Sequence, residues 1–279
     1  MTSNLAPSAS SAPPVGLPVK TLRHLVIGAG NMGKRHGSIL ESLGDQIRYE
    51  DLGFDPNGYD YRTVDSVLIC TPAKTHLDFV SAVANQNSDI PVFIEKPVID
   101  SLPCNLPGIL PDISMVACNW RWCECIDPTN EILCAYRTDQ LSAALDQIHF
   151  YDWFCSQNGE PERGIFIQGL GGNRMELSRG DKWLSSSILY DGTIQDQAWW
   201  GRYDSQKKKG YRKPLHSYGM CPMFVQQMIT WRQVVAREIV SPNPIPLAID
   251  RTLALLRLMR AGKVEGVQSQ CGPSSEILH

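Results

Sequence analysis

The sequence predicts an α/β fold in two parts, a doubly wound parallel sheet followed by a mostly antiparallel sheet with closing helices. Three observations carry this. Between Thr21 and Cys125, short apolar runs alternate with helical stretches, the grammar of parallel strands joined by crossover helices. Directly after the first run stands "GAGNMG", a glycine turn between a strand and a helix. Past "IDPTNEIL" the pattern changes to "IFIQGLGGNRMELS" and "SSSILYDGTIQDQAWW", strand pairs around "GG" and "DG" turns, which signal antiparallel hairpins.

Residues 1–20, rich in Ser, Ala and Pro without a continuous apolar core, are expected to form a disordered tail rather than a signal peptide. The next segment, 21–125, reads as strand "HLVI", a helix from about Asn31, then strands "IRYEDLGFD", "SVLIC", "VFIEKP" and "SMVACNW". A helix over "THLDFVSAVANQ" is expected from Leu77, Val80 and Ala84 at helical spacing. The remainder, 126–279, carries the antiparallel pairs and closes with two amphipathic helices, "CPMFVQQMITWRQVVARE" and "LAIDRTLALLRLMRAG", around the stiff link "SPNPIP". Gly262 is expected as the C′ residue of the last helix.

A net charge of −3 over 279 residues supplies no basic field for nucleic acid. No run of 18 or more apolar residues suggests a membrane span. Nine cysteines, an odd number and several in apolar runs, point to reduced, packed thiols and a cytoplasmic setting. Cys123 and Cys125 form a C-x-C with no second pair at ligand spacing, so no metal site is expected.

The glycine turn carries the first chemistry. Gly28 permits a tight turn, Gly30 lets backbone approach a pyrophosphate, and Gly33 lets helix and strand pack. Asn31 and Met32 open the helix, whose unpaired N–H groups and dipole favour phosphate. An acid near the end of the second strand would bind the adenosine ribose. Asp55, at 55 − 28 = 27 positions past the first glycine, is the first candidate and Asp51 the second. An acid there favours NAD over NADP. Asp55-Pro56-Asn57-Gly58 as a plain turn is the competing reading.

"GAGNMGKRH", "VLICTPAKTH" and "VFIEKP", in this order, resemble the fingerprints of the Gfo/Idh/MocA oxidoreductases, the group that includes glucose–fructose oxidoreductase and inositol dehydrogenase. The resemblance implies a Rossmann domain followed by an α+β domain with an open, mostly antiparallel sheet, and NAD or NADP as cofactor. It places Thr71, Pro72, His76 and Glu95 along the cofactor, and it implies a cis bond before Pro97. Lys96 of E-K-P would act beside the substrate hydroxyl, and Asn119 and Arg121 of "CNWRW" would stand near the substrate. His149, three before Asp152, matches the acid/base histidine of the family. Asp146 precedes it by three rather than the usual four. The stretch from Asp55 to "SVLIC" is too short for the usual helix and third strand, as in a shortened member.

These residue types also suit the reaction on their own terms. Oxidising a secondary alcohol needs a hydride acceptor and a group that takes the hydroxyl proton. A partly desolvated lysine and a histidine both exchange protons near neutrality. The expected function is therefore hydride transfer between nicotinamide and a sugar, sugar derivative or cyclitol. The competing reading is a non-catalytic sensor of dinucleotide or sugar on the same fold. A homo-oligomer is expected, because an open sheet must cover its outer face. Four features have plainer readings: His36 as a helix residue, "KKKGYRK" from Lys207 to Lys213 as a solvated loop, Trp199 with Trp200 as sheet or interface packing, and Glu95–Lys96 as a surface ion pair.

Overall fold

The computed structural model describes residues 20–51, 53–102, 106–118, 121, 132–138, 147–169, 172–190, 197–204, 209–214 and 222–264. Five parallel strands form the first sheet: β1 (Arg23–Ile27), β2 (Gln46–Glu50), β3 (Ser66–Ile69), β4 (Val92–Ile94) and β5 (Ser114–Val116), in the order β2-β1-β3-β4-β5. Every residue of β3, β4 and β5 is buried, because a parallel sheet is covered on both faces and its strands read as unbroken apolar runs. Chain order reverses between β1 and β3, and the crevice at their carboxyl ends is where such sheets bind ligands.

Alternate residues feed two cores. Leu25, Ile27, Val67, Ile69, Val92 and Ile94 face α2 (His76–Gln86) and the first half of α5 (Ile245–Ala261). Val26, Leu68, Phe93 and Met115 face α1 (Asn31–Ser42) and α4 (Pro222–Val235). Between β2 and β3 the described residues hold only a 3₁₀ turn, Tyr61–Thr63. With two crossover helices for five strands, the sheet would stay half bare. The C-terminal helices α4 and α5 return to cover it, although they follow residue 126 in the chain. The link before α5 is sewn to β5: Val116 N–H donates to Asn243 O at 2.9 Å, and Ile245 N–H donates to Ser114 Oγ at 3.0 Å.

The second sheet has seven strands: β6 (Ile132–Thr138), β7 (Arg163–Gly169), β8 (Gly172–Arg179), β9 (Lys182–Tyr190), β10 (Gln197–Asp204), β11 (Lys209–Pro214) and β12 (Lys263–Val264). Their order is β11-β10-β6-β9-β8-β7-β12, with β6/β9 and β7/β12 parallel and the other pairs antiparallel. Phe166, Met175, Leu177, Leu184 and Ile188 pack on α3 (Ile148–Asn158) and the second half of α5. Ile165 and Trp183, on the opposite face by register, are exposed.

Three expectations change. The strands on either side of "DG" do not pair with each other: β6, from earlier in the chain, lies between β9 and β10 and pairs with both. Strands β7 and β8 pair as the "GG" reading expected, with Gly169 facing Gly172, and β8 and β9 form a further tight hairpin, where Arg179 faces Lys182 around Gly180-Asp181 and Gly180 has φ 56°. Gly262 has φ −65° and is no left-handed cap. Glycine is needed there because a Cβ would stand 2.5 Å from Phe166 O. Lys209–Lys213 lie in strand β11 at the end of the sheet, not in a loop.

Candidate active site

The glycine turn joins β1 to α1 at the switch point. Gly28 has φ 97°, and a Cβ there would stand 2.6 Å from Cys70 O at the end of β3. Its N–H donates to Glu50 O at 2.8 Å, closing the turn against β2. A Cβ on Gly33 would collide with Gly28 O, so helix and strand touch through bare backbone. Around Gly30, by contrast, a Cβ would meet nothing within 4 Å. Gly30 caps α1 without any side-chain hydrogen bond, and no acid occupies the first turn. The unpaired N–H groups of Asn31 and Met32 therefore open onto free space that an anion fits.

The ends of β3 and β4 are tied through one ring. His76 Nε2 lies 2.7 Å from Thr71 O and its Nδ1 2.8 Å from Pro97 O. Burial holds this histidine below its ordinary 6.5. The ring thus stands between the turn of Thr71 and Pro72 and the Lys96–Pro97 peptide, which is cis, and donates its one N–H to one of the two carbonyls. Thr75 Oγ1 donates to Thr71 Oγ1 at 2.9 Å and stiffens the same turn.

Glu95 follows β4 and is 7% exposed. His36 Nε2 donates to its Oε1 at 2.5 Å, and Lys96 N–H donates to its Oε2 at 3.2 Å. Burial pushes the Glu95 carboxyl up, but the His36 hydrogen bond and the charges of His36, Lys96 and His76 outweigh it and hold the group below the ordinary range. It is an anchored, buried carboxylate rather than a surface partner for Lys96.

Lys96 lies near enough to His149 for its charge to act on the ring, although 53 positions separate them (149 − 96). His149 is the second residue of α3. Burial, and then the Lys96 charge, push its pKa well below 6.5. Its Nδ1 is enclosed and has no hydrogen-bond partner. A cationic lysine beside a neutral histidine is an arrangement that can stabilise charge on an oxygen with one group and move its proton with the other.

Arg121 and Asp152 are also brought together, but onto each other. Arg121 Nε and Nη2 bind Asp152 Oδ2 and Oδ1, each at 2.6 Å, and Arg251 Nη1 binds Asp152 Oδ1 at 2.6 Å. Asn119 and Asp146 lie outside the described residues, as do Cys123 and Cys125. Asp55 stands five residues past β2, its Oδ1 accepting the Asn57 amide at 2.9 Å in an Asx turn. Glu50 is the last residue of β2, with its backbone on Gly28. Its distance from Gly28, 50 − 28 = 22, suits a dinucleotide turn better than that of Asp55. His36 is a helix residue, as expected. It is fully buried, and its place one helical turn after Gly33 was the available signal. Among the described residues, no group of three or more His, Cys, Asp or Glu is placed to hold a metal ion, and no helix is long and apolar enough to cross a membrane.

A five-stranded parallel sheet with a bare glycine turn at its switch point, with Lys96 just past β4 and His149 at the start of α3, is a Rossmann-type α/β arrangement. The fold of the chain is that of the Gfo/Idh/MocA-type dehydrogenases. GenD2 from gentamicin A biosynthesis, solved in complex with NAD, aligns over 91% of this chain and 96% of its own, with TM-score 0.64 and 13% identity. UDP-N-acetylglucosamine 3-dehydrogenase GnnA from Acidithiobacillus ferrooxidans aligns over 88% and 98%, with TM-score 0.62 and 12% identity. A myo-inositol dehydrogenase from Corynebacterium glutamicum aligns over 87% and 95%, with TM-score 0.60 and 14% identity. No family model matches the chain, and no curated protein matches it by sequence.

Proposed function

We propose that the protein is an NAD(P)-dependent oxidoreductase of the Gfo/Idh/MocA type, moving a hydride between nicotinamide and a hydroxyl or keto group of a sugar, sugar derivative or cyclitol. The observation that carries this is the Lys96–His149 pair beside the switch-point crevice. The open space at Gly30 suits a pyrophosphate, and similar folds include sugar and inositol dehydrogenases. Bound nicotinamide would supply the hydride acceptor for oxidation and the donor for reduction. His149, neutral in this setting, takes the hydroxyl proton as the carbonyl forms. The Lys96 ammonium faces the oxygen and offsets the negative charge that develops there. Glu50 would take the ribose hydroxyls, which favours NAD. The exposed face around Ile165 and Trp183 would pair two copies of the chain.

One observation favours the rival, a dinucleotide or sugar sensor. Arg121 and Asp152 are engaged with each other, which leaves fewer groups for a substrate. Titration with NADH and NADPH by fluorescence, followed by a panel of sugars and inositols, separates the two. The enzyme reading expects nucleotide binding and a change in the reduced-nicotinamide absorbance with at least one substrate. Binding without any such change supports the sensor, and no binding at all refutes both.

A further inference from the structure

His36 and Glu95 form a buried pair that nothing in the proposed hydride transfer uses. His36 is fully buried on α1, the helix whose first turn faces the proposed phosphate site, and Glu95 stands between the end of β4 and Lys96. The ring is wedged between Phe93, at 5.1 Å between centroids, and Phe224 of α4, at 5.9 Å. Because Glu95 Oε1 accepts at 2.5 Å, the proton sits on Nε2, while Nδ1 has no hydrogen-bond partner. The ring therefore offers one directed bond, and that bond goes to the carboxylate.

The other carboxylate oxygen accepts the Lys96 amide. We infer that His36 is a positioning residue for the lysine: by binding Glu95 it keeps a buried anion under Lys96, and so sets both the placement and the protonation of the ammonium. The inference rests on reading Lys96 as the proton-handling group of a dinucleotide site.

The surroundings leave the anion few other supports. The groups that face Glu95 are His36 from α1, Lys96 on its own segment, His76 from α2, and the buried thiols Cys70 and Cys118 past β3 and β5. Burial pushes both thiols well above 9.0, so they contribute no charge at neutral pH. His76, neutral with one N–H, commits that donor to Thr71 O or Pro97 O, the two carbonyls its ring nitrogens face. Without the His36 donor, burial acts on Glu95 with less to oppose it, the carboxyl takes up a proton, and Lys96 loses its anionic neighbour.

The test reads Lys96 directly and needs no substrate. In the full-length protein, the rate of Lys96 acylation by acetic anhydride, followed by peptide mass spectrometry, is measured against pH for wild type, His36→Leu, His36→Gln and Glu95→Gln. The Lys96 midpoint should fall by about one pH unit in His36→Leu and in Glu95→Gln. It should stay near the wild-type value in His36→Gln, whose amide can donate from the place of Nε2. A wild-type midpoint in His36→Leu, with a lowered one in Glu95→Gln, overturns the inference. If His36→Leu does not fold, a lowered midpoint in His36→Gln overturns it, and a retained one beside a lowered Glu95→Gln supports it. NADH titration of the same proteins keeps the two readings apart. The expected midpoints without NADH binding uphold the His36–Glu95 role and refute the dinucleotide site.

Discussion

Arg121 and Asp152 meet in a two-pronged ion pair, Nε to Oδ2 and Nη2 to Oδ1, both at 2.6 Å. Arg121 follows β5 of the first sheet and Asp152 lies on α3 of the second layer. Arg251 of α5 adds a third charge, and Arg121 also donates to Pro242 O at 2.7 Å and Asn243 Oδ1 at 3.0 Å. His149 sits one helical turn before Asp152, so the clamp that fixes Asp152 also holds the histidine toward Lys96. Removing one partner of such a buried group leaves the others uncompensated. Asp152→Ala should cost about 3–5 kcal/mol in urea unfolding. A loss under about 1 kcal/mol, the range of exposed pairs, would refute the clamp.

Lys96→Ala should lower turnover by about 10²–10⁴-fold while leaving NADH affinity near wild type. The split follows from position: the lysine faces His149, whereas the phosphate end of the site is built from α1. Steady-state kinetics beside fluorescence titration reads both. Normal turnover in this variant removes Lys96 from the reaction.

The depressed His149 and His76 impose a pH dependence on stability. Both are held below 6.5 in the folded chain, chiefly by burial. The unfolded chain then binds protons at a higher pH than the folded one, so stability falls as pH drops below about 6.5. Glu95 and Asp45 are held below their ordinary values, 4.5 and 3.8, and add their own loss only at lower pH. Urea midpoints between pH 7 and about 5 should decline in wild type and less steeply in His149→Gln. Equal slopes in the two proteins would mean that His149 is not held below 6.5 in the folded chain.

The three glycines should separate by consequence. Gly30→Val should fold with a nearly unchanged melting temperature yet lose NADH binding, because its Cβ meets only the space proposed for phosphate. Gly28→Ala and Gly33→Ala should be destabilised, since each new methyl meets backbone and Gly28 also has φ 97°. Thermal melts paired with nucleotide titration check this. Intact binding in Gly30→Val places the nucleotide elsewhere.

Glu50→Ala should raise NADPH affinity relative to NADH, and Asp55→Ala should leave the ratio unchanged. Glu50 stands at the end of β2 against Gly28, with its Oε1 held by Arg48, whereas Asp55 lies five residues further on in its own turn. The ratio of dissociation constants decides. A shift in Asp55→Ala alone would restore the first candidate.

Strands β3, β4 and β5 were legible because each is a short buried run, and the glycine turn because sterics at Gly28 and Gly33 act within a few residues. Strand β6 and the true neighbours of β9 were not. "DG" speaks only for the residues beside it, while β6 enters the sheet from more than 40 positions earlier (184 − 132 = 52 for the Ile132–Leu184 pair). Glu50 lost to Asp55 because a strand end cannot be placed closely from composition alone. At His36, helix periodicity indicated a buried face and was silent on what that face would meet.

By itself, then, the sequence determined the two-sheet fold class, the backbone turn at Gly28, Gly30 and Gly33, and the presence of Lys96 and His149 in the chain. Only the tertiary structure decided which charges meet. It set His36 on Glu95, Lys96 beside His149, and Arg121 with Arg251 on Asp152. The physical reason is range. Turn sterics and strand or helix periodicity act between near neighbours, whereas the pairing of buried charges is set by desolvation and distance through space, across 31 positions for Arg121–Asp152 and 59 for His36–Glu95.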